Sequence, residues 1–204
     1  MELPTRILVH AEALFKLRGI RSVTMDDLAK DLRISKKTLY QYFANKADLV
    51  LGVSKAHFER ERNTTEALIS KALDPIHGIL LVLECSSKSL KEIPTHMVYD
   101  IQKLYPKSWQ MFHDFKEGYL LEVVRKNLEE GVAQGLYRKD MDIELVALIR
   151  LVQIESSMNE HYFPASRFEF VKVQMEQFSL FLHGIVTLKG KKLIYNYLNQ
   201  PEDE

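Results

Sequence analysis

Residues 24–46 read TMDDLAKDLRISKKTLYQYFANK, and potential helix caps stand at Thr24, Ser35 and Asn45. Thr24 with Asp27 has the capping-box spacing, in which a hydroxyl accepts from the third helical amide and an acidic group reaches back. Ser35 opens a second helix, and Asn45 with Asp48 opens a third. Caps this close predict two short helices around a tight turn, then a longer one, with no strand. Leu28, Ala29 and Leu32 form the buried face of the first short helix. In the second, Leu39 and Phe43 fall together as an i,i+4 pair. Lys37, Thr38 and Gln41 then point away from that pair, with Lys36, Tyr40 and Tyr42 on its flanks. No acid occurs between Asp31 and Asp48. A helix that only needs to be solvated mixes signs, so this exclusion suggests an anionic partner.

The rest of the chain says which anion. Its 204 residues, 46% hydrophobic and 27% charged, bury a real core. The formal net charge of zero hides an asymmetry: nine basic against six acidic groups through residue 50 leave +3, and the remainder carries −3. A basic head on a mildly acidic body points to nucleic acid. One cysteine, Cys85, excludes a disulfide within the chain and fits a reducing compartment. Its apolar flanks suggest an inert thiol. Arg6, His10 and Glu12 interrupt the N-terminal apolar pattern, so no signal peptide or anchor is expected. The longest apolar run, ILLVL from Ile79, is too short to span a bilayer. A soluble, cytoplasmic protein without a membrane partner is the expectation.

Helical periodicity runs through almost every segment. Ile7, Ala11, Leu14 and Phe15 mark one face of a first helix, which Gly19 ends. Beyond residue 48 helices are expected at 46–71, 76–92, 94–104, 106–134, 142–161 and 167–188, with the tail frayed after Leu198. Pro75, Pro94 and Pro106 suit helix starts, and Gly135 a position just past a helix end. The fold class is all-α.

Two short helices around a tight turn, the second one basic, describe a helix-turn-helix. Taken with its flanks, LFKLRGIRSVTMDDLAKDLRISKKTLYQYFANKADLV resembles the DNA-binding domain of the TetR family of regulators. The matching features are LF…G…T, DLA, ISKKTLYQYF and NKADL. The resemblance implies a DNA-binding domain at 1–47 and a helical ligand-binding and dimerisation domain at 48–204. It makes residues 36–42 the recognition helix, lying in the major groove of double-stranded DNA. Lys36 and Lys37 then meet phosphates or guanine edges, and Thr38 and Tyr40 offer hydroxyls or a methyl. Tyr42 stands beside the backbone, while Lys46 brings its charge and a helix N-terminus to a phosphate. Thr24 touches the backbone besides capping. Gln41 either pairs with adenine or is a solvated amide that reads nothing. One position departs from the pattern: Arg33 stands where the family usually has glycine, at a turn that favours a left-handed backbone.

In the body, Trp109, Phe112, Phe115 and Tyr119 form an aromatic stripe, on which Phe58, Met97 and Tyr99 are expected to converge. Such a stripe is plain core or the wall of an effector pocket. Two further apolar faces, Val146, Ile149, Ile154 and Met158, then Phe178, Phe181, Leu182 and Ile185, are what the resemblance assigns to a homodimer interface. One recognition helix alone buries too little for specific operator binding, which favours the dimer. Seven histidines show no metal-binding spacing, and no phosphate-binding or nucleophile motif occurs. No catalytic residues, metal or cofactor are expected. The resulting expectation is a regulator of a palindrome-like operator, most naturally a repressor released by a small apolar or aromatic effector. The alternative is a ligand-binding or adaptor protein of the same fold that binds no operator.

Overall fold

The computed structural model describes residues 2–199, and the expected fraying after Leu198 lies, apart from Asn199, outside the described residues. The described chain is helical almost throughout, and its only extended pairing is an isolated antiparallel bridge between Tyr137 and Val186. It divides into two compact units. The first holds the described residues to Arg62 together with Lys91–Phe115, and the second holds Asn63–Leu90 and the described residues from Lys116 onward.

In the first unit, α1 (Leu3–Arg18), α2 (Met25–Asp31), α3 (Lys36–Tyr42) and the start of α4 (Lys46–Ile69) enclose one core. Ile7, Ala11, Phe15, Ile20, Leu28, Leu39 and Leu49 are almost completely buried there. The chain leaves α1 through Gly19 at φ 79°, whose amide donates to the Phe15 carbonyl at 2.9 Å. That left-handed exit favours glycine. α6 (Thr95–Leu104) and α7 (Pro106–Phe115) complete the unit, and Met97 of α6 sits in the same core as the helix-turn-helix.

The second unit contains α5 (Pro75–Lys91), a π-helical segment (Lys116–Leu120), α8 (Leu121–Ala133), α9 (Ile143–Ser156), α10 (Phe170–Ile185) and α11 (Leu188–Leu198). Its core gathers Ile76, Leu128, Leu136, Tyr137, Ala147, Phe178, Phe181, Leu182 and Ile185. Tyr137 folds back over Gly131, where an added Cβ would lie 2.0 Å from the ring, so only glycine admits this packing. The Tyr137 hydroxyl donates to Asn127 Oδ1 at 3.0 Å, and the Asn127 amide donates to the Pro75 carbonyl at 2.8 Å. Burial pushes the Tyr137 phenol well up from its ordinary range.

Three expectations change. The helix predicted over 106–134 is interrupted by the π-helical segment at 116–120. The helix predicted over 167–188 stops at Ile185, and a separate α11 follows. The break has one local and one remote cause: the Thr187 hydroxyl caps α11 by accepting from the Gly190 amide, and the Thr187 amide donates to the Leu136 carbonyl at 2.9 Å. Finally, Phe178, Phe181, Leu182 and Ile185, expected to face a second copy, are buried in the chain's own core. With Phe178 only 5% exposed, this face is unavailable to a partner. Val146 packs against the same core, Ile154 and Met158 are half-buried, and Ile149 alone of the eight is exposed.

Candidate nucleic-acid interface

α2 begins in a complete capping box. The Asp27 amide donates to Thr24 Oγ1 at 3.1 Å, and the Thr24 amide donates to Asp27 Oδ2 at 2.9 Å. The Thr24 side-chain hydrogen bond holds the Asp27 carboxyl below its usual range. α2 ends in a Schellman turn: the Arg33 amide reaches the Lys30 carbonyl at 3.1 Å, and the Ile34 amide reaches that of Ala29 at 3.0 Å. Arg33 itself adopts φ 55°, so it accepts the left-handed conformation that its position demands. For a residue with a Cβ this costs about 1–2 kcal/mol. Ile34 packs against the core directly after the turn, which fixes the direction in which α3 leaves.

Ser35 caps α3 by accepting from the Thr38 amide at 3.0 Å, and the two hydroxyls share a second bond at 2.7 Å. Leu39 is fully buried and Phe43 packs on the same core, so the i,i+4 pair anchors the helix as its spacing requires. Lys36, Lys37, Tyr40, Gln41 and Tyr42 are all exposed. α4 then follows Asn45, whose Oδ1 accepts from the Asp48 amide at 2.9 Å.

The positive groups differ in their readiness for an anion. Lys37 has no acidic partner among the described residues. Lys36 instead reaches back from α3 to Asp26 Oδ2 of α2 at 2.6 Å, a bond that raises its pKa. Lys46 is half-buried and donates to the Arg21 carbonyl at 3.2 Å, and its burial lowers its pKa. Sequence reasoning missed Arg21, whose exposed guanidinium lies in the turn before Thr24. Its Nε pairs at 2.8 Å with Asp100, a buried carboxylate of α6. Only Arg21's place in a basic segment signalled it; nothing in the local pattern signals a partner 79 positions away.

Four of the residues expected to line a ligand pocket, Phe58, Trp109, Phe112 and Phe115, come together within the first unit. Phe58 of α4 stacks on Phe115 of α7 at 4.9 Å and lies 6.3 Å from Phe112, which stacks on Trp109 at 4.9 Å. Phe58, Trp109 and Phe115 are half-buried, as is Tyr99, whose ring has Lys103 Nζ 5.8 Å from its centroid. Met97 joins the helix-turn-helix core, and Tyr119 lies in the π-helical segment of the second unit. Among the described residues there is no cluster of metal-ligating side chains, and no helix is long and apolar enough to cross a membrane.

Residues 7–57 match the family model of the bacterial regulatory proteins, tetR family. The chain is 22% identical over 195 residues to the HTH-type transcriptional repressor KstR2 of Mycolicibacterium smegmatis, covering 91% of this chain and 92% of that one. A transcriptional regulator from Cytophaga hutchinsonii superposes with a TM-score of 0.74 at 20% identity, over 90% of this chain and 98% of that chain. FadR of Thermus thermophilus, a transcriptional repressor crystallised with lauroyl-CoA, superposes with a TM-score of 0.58 at 19% identity, over 90% and 95% of the two chains.

Proposed function

We propose, from the match of residues 7–57 to the tetR family model, that the chain is a regulator of the TetR family: a cytoplasmic, homodimeric repressor of a palindrome-like operator, released by a small apolar effector. The observation that carries the DNA-binding part is the outer face of α3: a capped, core-anchored helix presenting Lys37, Tyr40, Gln41 and Tyr42 to solvent without an acid of its own. Residues 1–47 do the reading and 48–204 bind effector and partner copy. Lys37 and Gln41 meet base edges or phosphates, Thr24, Thr38, Tyr40 and Tyr42 pack along the backbone, and Lys46 adds a phosphate contact. Lys36 joins them by exchanging Asp26 for a phosphate oxygen. The proposal includes no catalytic step.

The dimer reading moves to the outer face of α9. Leu145, Leu148, Ile149 and Val152 form an exposed i,i+3,i+4,i+7 stripe, with Val152 64% exposed. Met175 and Leu180 of α10 are exposed as well, Leu180 at 73%. An apolar stripe of this kind is favourable only when covered.

The half-buried aromatics Phe58, Trp109 and Phe115, packed between α4 and α7, support an aromatic or acyl effector there, as does the lauroyl-CoA complex of the Thermus thermophilus repressor. Because α4 carries Phe58 and begins directly after α3, an effector wedged against it can tilt the recognition helix. In a two-fold dimer the two recognition helices must stand about 34–36 Å apart to enter successive major grooves. An effector that prefers the mis-spaced state a hundredfold shifts the balance by about 2.7 kcal/mol. Selection of genomic duplexes by the purified protein tests the reading. Recovery of a two-fold-symmetric site is expected, and no enrichment over non-specific DNA would leave an adaptor of the same fold. Any effector must bind more weakly, by the same factor, once operator is present.

A further inference from the structure

We propose that Arg150 anchors a monocarboxylate ligand at the seam between α9 and α10. Arg150 is 8% exposed, and its guanidinium lies over the rings of Phe178 and Phe181, 5.4 and 5.7 Å from their centroids. Its one hydrogen bond among the described residues is a long one, from Nη1 to Gln153 Oε1 at 3.4 Å. No carboxylate among the described residues lies within ion-pair distance of it. Desolvation alone lowers its pKa, to about 10, so no charged neighbour compensates the group. A guanidinium has five donors and does not lose its proton in a protein, so burying one with a single weak acceptor is unfavourable. An apolar side chain would fill this site at no such cost.

A second polar group in the seam is also unsatisfied. Gln177 of α10, one residue from Phe178 and one turn from Phe181, donates through Nε2 to Ser156 Oγ at 3.1 Å, while its buried Oε1 has no partner. Its neighbour Gln174 is spent, donating to the Ile154 carbonyl and to Ser157 Oγ. The Ser156 hydroxyl already donates to the Gln153 carbonyl at 2.9 Å, so it accepts from Gln177 Nε2, whose second hydrogen remains as a further donor. The seam then offers an anion one planar guanidinium and one amide beside two phenyl rings. A carboxylate matches the guanidinium fork with two parallel bonds and one compensating charge. A phosphate dianion would leave a negative charge buried without a counter-ion. An alkyl or aryl group on the carboxylate matches the apolar surroundings of the guanidinium.

This inference deepens the effector reading and rests on it only for its consequence at the operator; binding is tested without DNA. Thermal unfolding is followed with octanoate and benzoate, with octan-1-ol and benzyl alcohol as neutral counterparts, and with inorganic phosphate. At about tenfold its Kd, one of the carboxylates should raise Tm by about 3–6 °C, with its alcohol and phosphate producing far less. Arg150→Met should fold with unchanged or higher Tm and lose that response. Should it fail to fold, Arg150→Lys decides: roughly tenfold weaker carboxylate binding supports the anchor, and unaltered binding overturns it. Equal shifts from acid and alcohol, or none from either carboxylate, also overturn it. If Arg150→Met becomes monomeric while the wild type ignores both carboxylates, the counter-ion is an acidic side chain of a second copy and the proposal falls. A carboxylate that binds through Arg150 without altering DNA affinity upholds the site and removes that compound from the effector reading.

Discussion

The segment from Thr24 to Asp48 and the segment from Ile143 to Leu198 are both helical, yet they are specified in different ways. In the first, each helix start is set by a side chain three residues from the amide or carboxylate it bonds: Thr24 with Asp27, Ser35 with Thr38, Asn45 with Asp48. Very little of that arrangement depends on distant sequence. In the second, the decisive contacts are remote. Thr187 donates to the Leu136 carbonyl, Gln174 donates to the Ile154 carbonyl and to Ser157 Oγ, and Phe178 lies under Arg150. A DNA-reading surface needs a helix held at one angle by rigid local bonds. The body instead carries buried polar groups and half-exposed aromatics, which is where ligand control requires alternatives.

The largest effect that separates the two regimes comes from a charge placed on either side of the α9–α10 layer. Phe178→Asp puts an unpaired carboxylate into the core and should unfold the second unit, at a cost of several kcal/mol. Val152→Asp, on the exposed stripe, should keep the helical circular dichroism and thermal midpoint of an isolated subunit but sediment as a monomer. A dimer from Val152→Asp would move the interface elsewhere.

Next in size is Gly131→Ala, where the new Cβ meets the Tyr137 ring. The expected loss is about 1–3 kcal/mol in chemical denaturation, although alanine is the better helix former. In the local regime the changes are smaller. Thr24→Ala removes the cap of α2 and should lose about 1 kcal/mol. Arg33→Gly should gain about 1 kcal/mol by relieving the left-handed backbone at φ 55°. A loss of stability in Arg33→Gly would mean that the arginine side chain contributes more than its backbone costs.

The same contrast explains what could be read from sequence. The caps, the Leu39–Phe43 anchor and the helix-turn-helix were legible because their determinants lie within four residues of one another. Arg33 was legible as an anomaly, but the sequence left open whether it would accept or avoid the left-handed backbone that it adopts at φ 55°. The inward face of α10 was not legible, because apolar residues occur on both sides: Phe178, Phe181 and Leu182 inside, Met175 and Leu180 outside. Periodicity identifies such a helix without saying which side meets the core. α11 was missed although Thr187 is an ordinary cap, since the apolar pattern runs through the break. At the DNA face, the exposed positions were legible from helical spacing. The ties of Lys36 to Asp26 and of Arg21 to Asp100 join separate elements, and no local pattern encodes them.

The central claim is that the exposed face of α3 binds duplex DNA through its cations, with Lys37 already free to do so. Fluorescence anisotropy of a labelled duplex across a salt series measures this directly, because each phosphate neutralised adds about 0.9 to the magnitude of the slope of log affinity against log salt. Wild-type protein should show a steep slope, and Lys37→Ala should reduce its magnitude by about one while weakening specific and non-specific binding alike. An unchanged slope and affinity in Lys37→Ala would contradict the account, because the most available cation on that face would then meet no phosphate.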